Sequence, residues 1–467
     1  MRWGNRGARF FVAWIVAILG IGYQAASAED PRAEGSKVEL PEGVPLLPES
    51  SKGSPIVVSA TNLNAWKALV VPELLSAVKN GDLSISARRE LGYFWRIDDE
   101  WEGASYRNAA ANKLALVSGS TTLRADIGVN GGYPFGAEPE MLKESDPSLL
   151  GARIVWNAQS VWWGQGSVES DFDLTWIKEG RPTRILRGQI VRAYPATLGI
   201  EGGSQLFREL LTLTTPEPLK RLAWLTFRFR GGDEDVVWFY SPALQKARQL
   251  TGSNRSDVLA RGATAVDDLL VWSGKAELIE AVADRSAVGF APFADTELGQ
   301  LAPHGEGCFG VTQRELGEEG SPSKVSPALA GGPEVLGDAV FVPRRLWRVE
   351  LTSSDPYSHY GRQVLYVDKV SMLPVYKFVY DRSGHLWKTV IGVFGLGVTA
   401  DRKVKRPYAS AQVVIDHLRN EINTIDYNRF VMCRTPHEGL LPANFDPRKL
   451  WPQPTPAPEK PKSKKKG

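Results

Sequence analysis

From Lys220 onward the chain reads as short runs of β-branched and aromatic residues punctuated by Gly, Pro, Asp and Ser: LAWLTFRFR, DVVWFY, KARQL, KAELIEAV, LWRVELTS, GRQVLYVDK, LPVYKFVYDR and HLWKTVIGVF. Eight runs of strand length joined by turn residues predict an antiparallel meander rather than βαβ units. In the first run Ala223, Leu225, Phe227 and Phe229 alternate with Thr226, Arg228 and Arg230. That period of two predicts a sheet that is apolar on one side and wet on the other. In LPVYKFVYDR, Tyr376, Phe378 and Tyr380 form an aromatic stripe opposite Val375, Lys377 and Val379, so both faces there require cover.

The chain ahead of this region is less regular. NLNAWKALVVPELLSAVKNG, residues 62–81, places apolar residues at helical spacing, with Gly81 at a helix stop and Pro72 dividing the helix or opening a second one. Residues 84–215 are mixed: strand-like pieces stand at Tyr93–Ile97 and Ala152–Trp156, and a helix is predicted over Gly203–Leu213. The sheet is therefore expected mainly from 220 onward.

Both ends differ from this body. Residues 1–28 carry three arginines, the 14-residue apolar run FFVAWIVAILGIGY and the small residues Ala26, Ser27 and Ala28, the pattern of a secretory signal cut after Ala28. An uncleaved anchor is the alternative, but the run is shorter than the roughly 20 residues a spanning helix needs. Residues 29–55 are rich in Pro, Gly, Ser and acid and read as a flexible leader, 56–451 as one β-rich domain, and 452–467 as a disordered Pro/Lys-rich tail. The Ser/Pro/Gly-rich stretch 321–337 reads as a long inserted loop.

Removing Arg2, Arg6 and Arg9 takes the formal charge from +3 to about 0, and the tail holds +4 of it, so the body is near −4. Nucleic-acid binding by the fold is disfavoured. The lysines of the tail can touch anionic lipid headgroups or simply solubilise the end. Only Cys308 and Cys433 occur. In an exported chain they can join, or lie buried as separate thiols. They lack CxxC spacing, and the five histidines show no HxxxH or HxH pairing, so neither a metal site nor a cofactor is expected.

The candidates for chemistry are few. Asp233-Glu234-Asp235 at a Gly-Gly turn reads as a solvated hairpin turn rather than a calcium site. The loop Asn254-Arg255-Ser256-Asp257 with Asp267 and Asp268 offers paired carboxylates, but no His, Cys or Lys stands near them in sequence. Anchoring of a polar loop, catalysis and contact with a ligand headgroup are the three readings. No GxSxG, P-loop or GxGxxG pattern occurs in context, and the Gly-rich 128–136 reads as a turn. Thirteen tryptophans remain after residue 28. They form a large aromatic core, or in part line a cavity for an apolar ligand.

Four segments together resemble a known family: NLNAWKALVVPELL, GGYPFGAEPEMLKESDPSLLGARIVWN, the hairpin VVWFYSPALQKARQL with NRSD and VDD after it, and DPYSHYGRQVLYVDKVSMLPVYKFVYDRSGHLWK. The family is a bacterial one, domain of unknown function 1329, which is similar to outer-membrane lipoprotein-sorting proteins. The resemblance implies an α+β, mainly β fold in which a strongly curved antiparallel sheet, an unclosed half-barrel, is capped by helices and loops over an apolar cavity. It implies a partner transporter of the resistance-nodulation-division type, and it supplies no catalytic residues. Where the family pattern has an acidic and an aromatic residue ahead of its paired acids, this chain has Ala263 and Thr264.

The expected function is thus a periplasmic carrier or binding protein, not an enzyme, for a lipid-like or other hydrophobic molecule. Leu225, Phe227, Phe229, Tyr376, Phe378 and Tyr380 are the expected lining. The alternatives are an envelope hydrolase using Asp257, Asp267 or Asp268, and a transporter scaffold without cargo.

Overall fold

Strands begin well before Lys220. The computed structural model describes residues 38–49, 54–116, 123–126, 131–163, 166–179, 181–198, 204–231, 234–250, 255–312, 339–356, 358–434 and 442–450. The expected signal segment, the loop at 321–337, Asp233, Asn254 and the tail lie outside the described residues, as do residues 29–37 and 50–53 of the leader. Within the leader, Leu47 is buried in the main core, and the Pro48 carbonyl accepts from the Arg89 N–H, so that part is docked on the domain.

The short strands β1 (Ile56–Val58) and β2 (Ile85–Ala87) pair with each other, and β3 (Lys113–Leu116) with β4 (Leu123–Asp126) forms a separate hairpin. Then β5 (Ser167–Lys178), β6 (Arg181–Ala193) and β7 (Gln205–Thr215) run as long antiparallel neighbours. The helix predicted over Gly203–Leu213 is therefore wrong. Phe207, Glu209, Leu211 and Leu213 of β7 are buried and alternate with less buried neighbours, so pairing with both flanking strands overrides the helix-favouring Glu and Leu content.

Ala152–Trp156 errs in the opposite direction. It lies inside the 17-residue helix Pro147–Trp163. Tyr93–Ile97 is no strand either, but a connection that buries Trp95 against Phe293. Short apolar runs do not reveal by periodicity alone which element they join. Over 62–81 the structure has two short helices, Leu63–Trp66 and Leu75–Asn80, with 3-10 turns between them. Pro72 opens the second turn, and Gly81 ends the second helix at φ +81°.

The runs after Lys220 become β8 (Ala223–Phe229), β9 (Val236–Ser241), β10 (Lys246–Leu250) and β11 (Ile279–Phe293), followed by the short β12 (Gly299–Gln300), β13 (Ala302–Pro303) and β14 (Cys308–Thr312). Next come β15 (Val340–Ser353), β16 (Arg362–Asp368), β17 (Pro374–Tyr380), β18 (Leu386–Val398), β19 (Lys405–Asp416) and β20 (Glu421–Cys433). Among the described residues all but β3 and β4 join one large, mainly antiparallel sheet that does not close into a regular barrel. The strand β10 pairs with β9 and ends the sheet on that side. The meander is interrupted after β10, because β11 pairs with β15 rather than with β10, and the short strands between them pair elsewhere, β12 with β18 and β14 with β20.

The residues between β10 and β11 explain that interruption. Residues 255–278 form a strap lying across the sheet. Asn423 Oδ1 on β20 accepts from the Ala263 and Thr264 N–H groups at 2.6 and 3.0 Å, and Gln412 Oε1 on β19 accepts from the Val271 N–H at 2.9 Å. Arg228 Nη1 on β8 donates to the Ser273 and Gly274 carbonyls at 2.8 and 3.0 Å. The strap crosses one face, since cross-strand register puts Lys377, Val390, Val414, Asn423 and Trp176 in a single row.

This cover corrects the half-wet reading of β8. Thr226 and Arg228 are buried, at 5% and 3% exposure, beneath the strap rather than in water. On the opposite face Leu225 belongs to a second apolar cluster with Tyr240, Cys308 and Cys433. The two cysteines face each other across β14 and β20 and are joined as a disulfide.

Candidate functional site

Two arrangements meet at the strap: a buried set of charges that seats it, and a pocket along its edge. Asp268 stands at the centre of the first. Its carboxylate accepts from Lys377 Nζ at 2.6 Å, Lys388 Nζ at 3.1 Å, Tyr360 Oη at 2.8 Å and the Ala265 N–H at 2.8 Å, and the Asp268 and lysine side chains are all 0% exposed. Burial alone would raise its pKa, but the two ammonium groups hold it well below the usual carboxylate range. Four donors occupy the carboxylate, so what it does chemically is fix the strap to β17 and β18.

Sequence reading found no lysine near Asp268 because Lys377 and Lys388 are 109 and 120 residues away along the chain. One half of the pair was legible. A lysine in the middle of VYKFV, where both faces need cover, requires a buried carboxylate.

A second set surrounds Asp235. It pairs with Arg228 at 3.0 Å, Arg255 at 2.8 Å and Lys275 at 3.5 Å, and its side chain is 0% exposed. The reading of Asp235 as part of a solvated turn is thereby overturned. Burial pushes its pKa up, yet the three cations bring it down to about 2. Arg255 also reaches Asp267 at 3.3 Å, and burial outweighs that cation to leave the Asp267 pKa raised. Asp257 is half exposed and lies 3.2 Å from His359 Nε2. Among the described residues no group of three or more His, Cys, Asp or Glu is placed to hold a metal ion.

The pocket, about 260 Å³ and open on one side, lies where β8, β9 and β10 meet the strap. The run VVWFY supplies the β-branched and aromatic residues that a strand favours, and Ser241-Pro242 ends it because proline cannot donate to the ladder. Register then aligns Trp224, Phe239 and Arg248 in one row, and Thr226, Val237 and Leu250 in the next. The Trp224 and Phe239 rings lie 5.1 Å apart and make an aromatic floor. Val258, Ala260 and Val266 of the strap form the facing wall, and Arg248, Arg255, Arg261 and Asp257 also line it.

The wall is held rigidly. Ala260 and Arg261 take φ of +48° and +65°, a region costly for residues with a Cβ. Their carbonyls are captured from outside, by Arg184 at 3.2 Å and Arg419 at 2.8 Å. Gly262 follows because a Cβ there would come within 2.5 Å of Asn423 Oδ1 and 2.8 Å of the Trp176 ring.

The six residues expected as a lining are placed otherwise. Leu225 and Phe227 pack in the second cluster, with the Arg208 guanidinium 4.9 Å from the Phe227 ring centre. Phe229 is half-buried. Tyr376 and Phe378 are fully buried in the main core, 6.2 Å apart and stacked, and Tyr376 Oη donates to the Phe290 carbonyl at 2.7 Å. Tyr380 is half-buried, with Arg362 4.0 Å from its ring centre. The structure does not bring the six together, and none of them lines this pocket. On β8 the pocket residues, Trp224 and Thr226, sit instead on the alternate positions, the face that sequence reading assigned to water.

Residues 328–436 match the family described as protein of unknown function (DUF1329). Among solved structures the chain is similar to a domain from Vibrio parahaemolyticus assigned to outer membrane lipoprotein sorting, 16% identical, with 64% of this chain and 97% of that one covered at a TM-score of 0.43. A DUF1329 family protein from Desulfovibrio piger is 14% identical over 66% of this chain and all 100% of its own, at 0.43. A LolA superfamily protein from Nitrosomonas europaea is 14% identical over 63% and 99%, at 0.37. No curated protein matches the sequence. The matched stretch contains β15 to β20, and it is similar to the same family that the motifs resemble.

Proposed function

We propose that the protein is a binding protein of the bacterial envelope that holds a lipid-like or other hydrophobic molecule between the β8–β10 hairpin and the strap. The observation that carries this reading is the pocket itself: an aromatic floor kept open to solvent beside a wall pinned in a costly backbone conformation. A water-exposed apolar floor of this kind is expensive unless something covers it. Export fits the apolar N-terminal run and the Cys308–Cys433 disulfide, which an oxidising compartment favours. The family resemblance adds a transporter of the resistance-nodulation-division type as the partner that loads or unloads the guest.

Magnitudes limit the guest. Covering about 200 Å² of apolar surface contributes about 5 kcal/mol. Association costs roughly 4 kcal/mol or more. A pocket of about 260 Å³ therefore grips part of a chain or one ring face rather than a whole lipid, and the guest needs more than apolar contact to stay. The hydrolase alternative has less support, because Asp268 is fully engaged by four donors and Asp267 is paired with Arg255.

Native mass spectrometry of the protein released from its own envelope, followed by solvent extraction, tests the reading. Bound mass that is lost in the Trp224→Ala variant is the expected result. Protein that carries no adduct and takes up no hydrophobic probe would contradict it.

A further inference from the structure

We propose that the pocket selects amphiphiles whose polar end is an anion, a carboxylate or a phosphate, received by Arg248 and Arg261; this rests on the binding reading above. The argument starts from how the other arginines of the sheet are used. Arg192 is paired with Glu209, Arg228 with Asp235, and Arg344 with Asp368, each pair buried. Arg255, which also lines the pocket, is neutralised by Asp235 and Asp267. Arg248 and Arg261 are different. Both line the pocket, both are exposed, and among the described residues neither has a carboxylate partner.

Their positions follow from the fold rather than from chance on a surface. Arg248 of β10 stands directly opposite Phe239 of β9 in register, with its guanidinium 5.6 Å from that ring centre, so the cation borders the aromatic floor. Arg261 is carried on the pinned part of the strap, where Arg419 donates to its carbonyl at 2.8 Å and Arg184 donates to the Ala260 carbonyl at 3.2 Å. The carboxylate lining the pocket, Asp257, is 3.2 Å from His359. Apolar floor and uncompensated cations thus lie side by side. A guest that is apolar along one part and anionic at its end satisfies both, whereas a neutral amphiphile satisfies the floor alone and a cationic one is repelled. Guanidinium groups favour carboxylate and phosphate because both present paired oxygens to their planar fork.

The test is a calorimetric titration of the whole protein, below micelle-forming concentrations, with dodecanoate, dodecyl phosphate and dodecanol. The anions are expected to bind about ten- to a hundredfold more tightly than the alcohol, the effect of one or two charge-assisted hydrogen bonds. That gap should close in the Arg248→Gln, Arg261→Gln double variant through loss of affinity for the anions. Both arginines are exposed, and an unchanged urea midpoint verifies that the variant is folded. Whichever anion binds more tightly identifies the headgroup chemistry. Dodecanol binding as tightly as the anions overturns this inference and leaves the binding reading standing. Failure of all three to bind overturns both.

Discussion

Replacing Asp268 by Asn would leave Lys377 and Lys388, each 0% exposed, without a carboxylate. Removing one partner of a buried ion pair costs about 3–5 kcal/mol, so Asp268→Asn should lower the urea midpoint by that equivalent. Asp257→Asn, at a half-exposed site, should change it by less than about 1 kcal/mol. A hydrolase using either residue would instead lose turnover without such a difference in stability. Asp235 gives a pH signature of definite sign. Its folded pKa of about 2 lies below the roughly 3.9 of an unfolded aspartate. Its contribution, about 2 kcal/mol, is therefore present above pH 4 and is lost as pH falls through 2. Asp267, with its pKa raised, acts in the opposite direction. Urea midpoints measured from pH 4 down to pH 2 should fall more steeply in the native protein than in Asp235→Asn. At this scale the sequence showed that both faces around Lys377 needed cover, but not that Asp268 meets it, because chain separation carries no distance information.

The element that most shapes the site is the strap, and it is seated by missing side chains as well as by hydrogen bonds. A Cβ on Gly392 of β18 would come within 2.2 Å of Val271 Cγ2 and 2.8 Å of the Phe394 ring. Gly392→Ala should therefore cost about 1–3 kcal/mol by overpacking. It should also speed hydrogen exchange of the Val271 N–H, which is bonded to Gln412. A variant with native stability and native exchange there would show that the strap is not held at this point. Alternation identified the strands after Lys220, since it needs only local sequence. It did not identify β7, whose pattern of two is masked by Glu and Leu, nor the helix Pro147–Trp163, whose apolar residues are long and branched enough to pass for strand. It also took as wet a side of β8 that the strap covers. Period two distinguishes the faces but does not say what covers them, and the cover comes from residues beyond the next hairpin.

At the scale of the whole molecule one large sheet carries the fold, and the disulfide ties β14 to the far end of β20 across a separation of 125 residues. Closing a loop of that length contributes roughly 5 kcal/mol in the chain-entropy picture. The Cys308→Ser, Cys433→Ser double variant should lose most of that amount in denaturant titration, and an unchanged midpoint would show that the sheet alone sets stability. The large, mainly antiparallel sheet that does not close into a barrel was legible from strand spacing together with the family resemblance. The place of the pocket was not, because it depends on the strap meeting the β8–β10 end of the sheet. A crystal structure of the protein saturated with an anionic single-chain amphiphile tests the central claim most directly. The account predicts ordered density for the guest against Trp224 and Phe239, with its charged end toward Arg248 and Arg261. Guest density elsewhere in the molecule, with that floor bare, would contradict it.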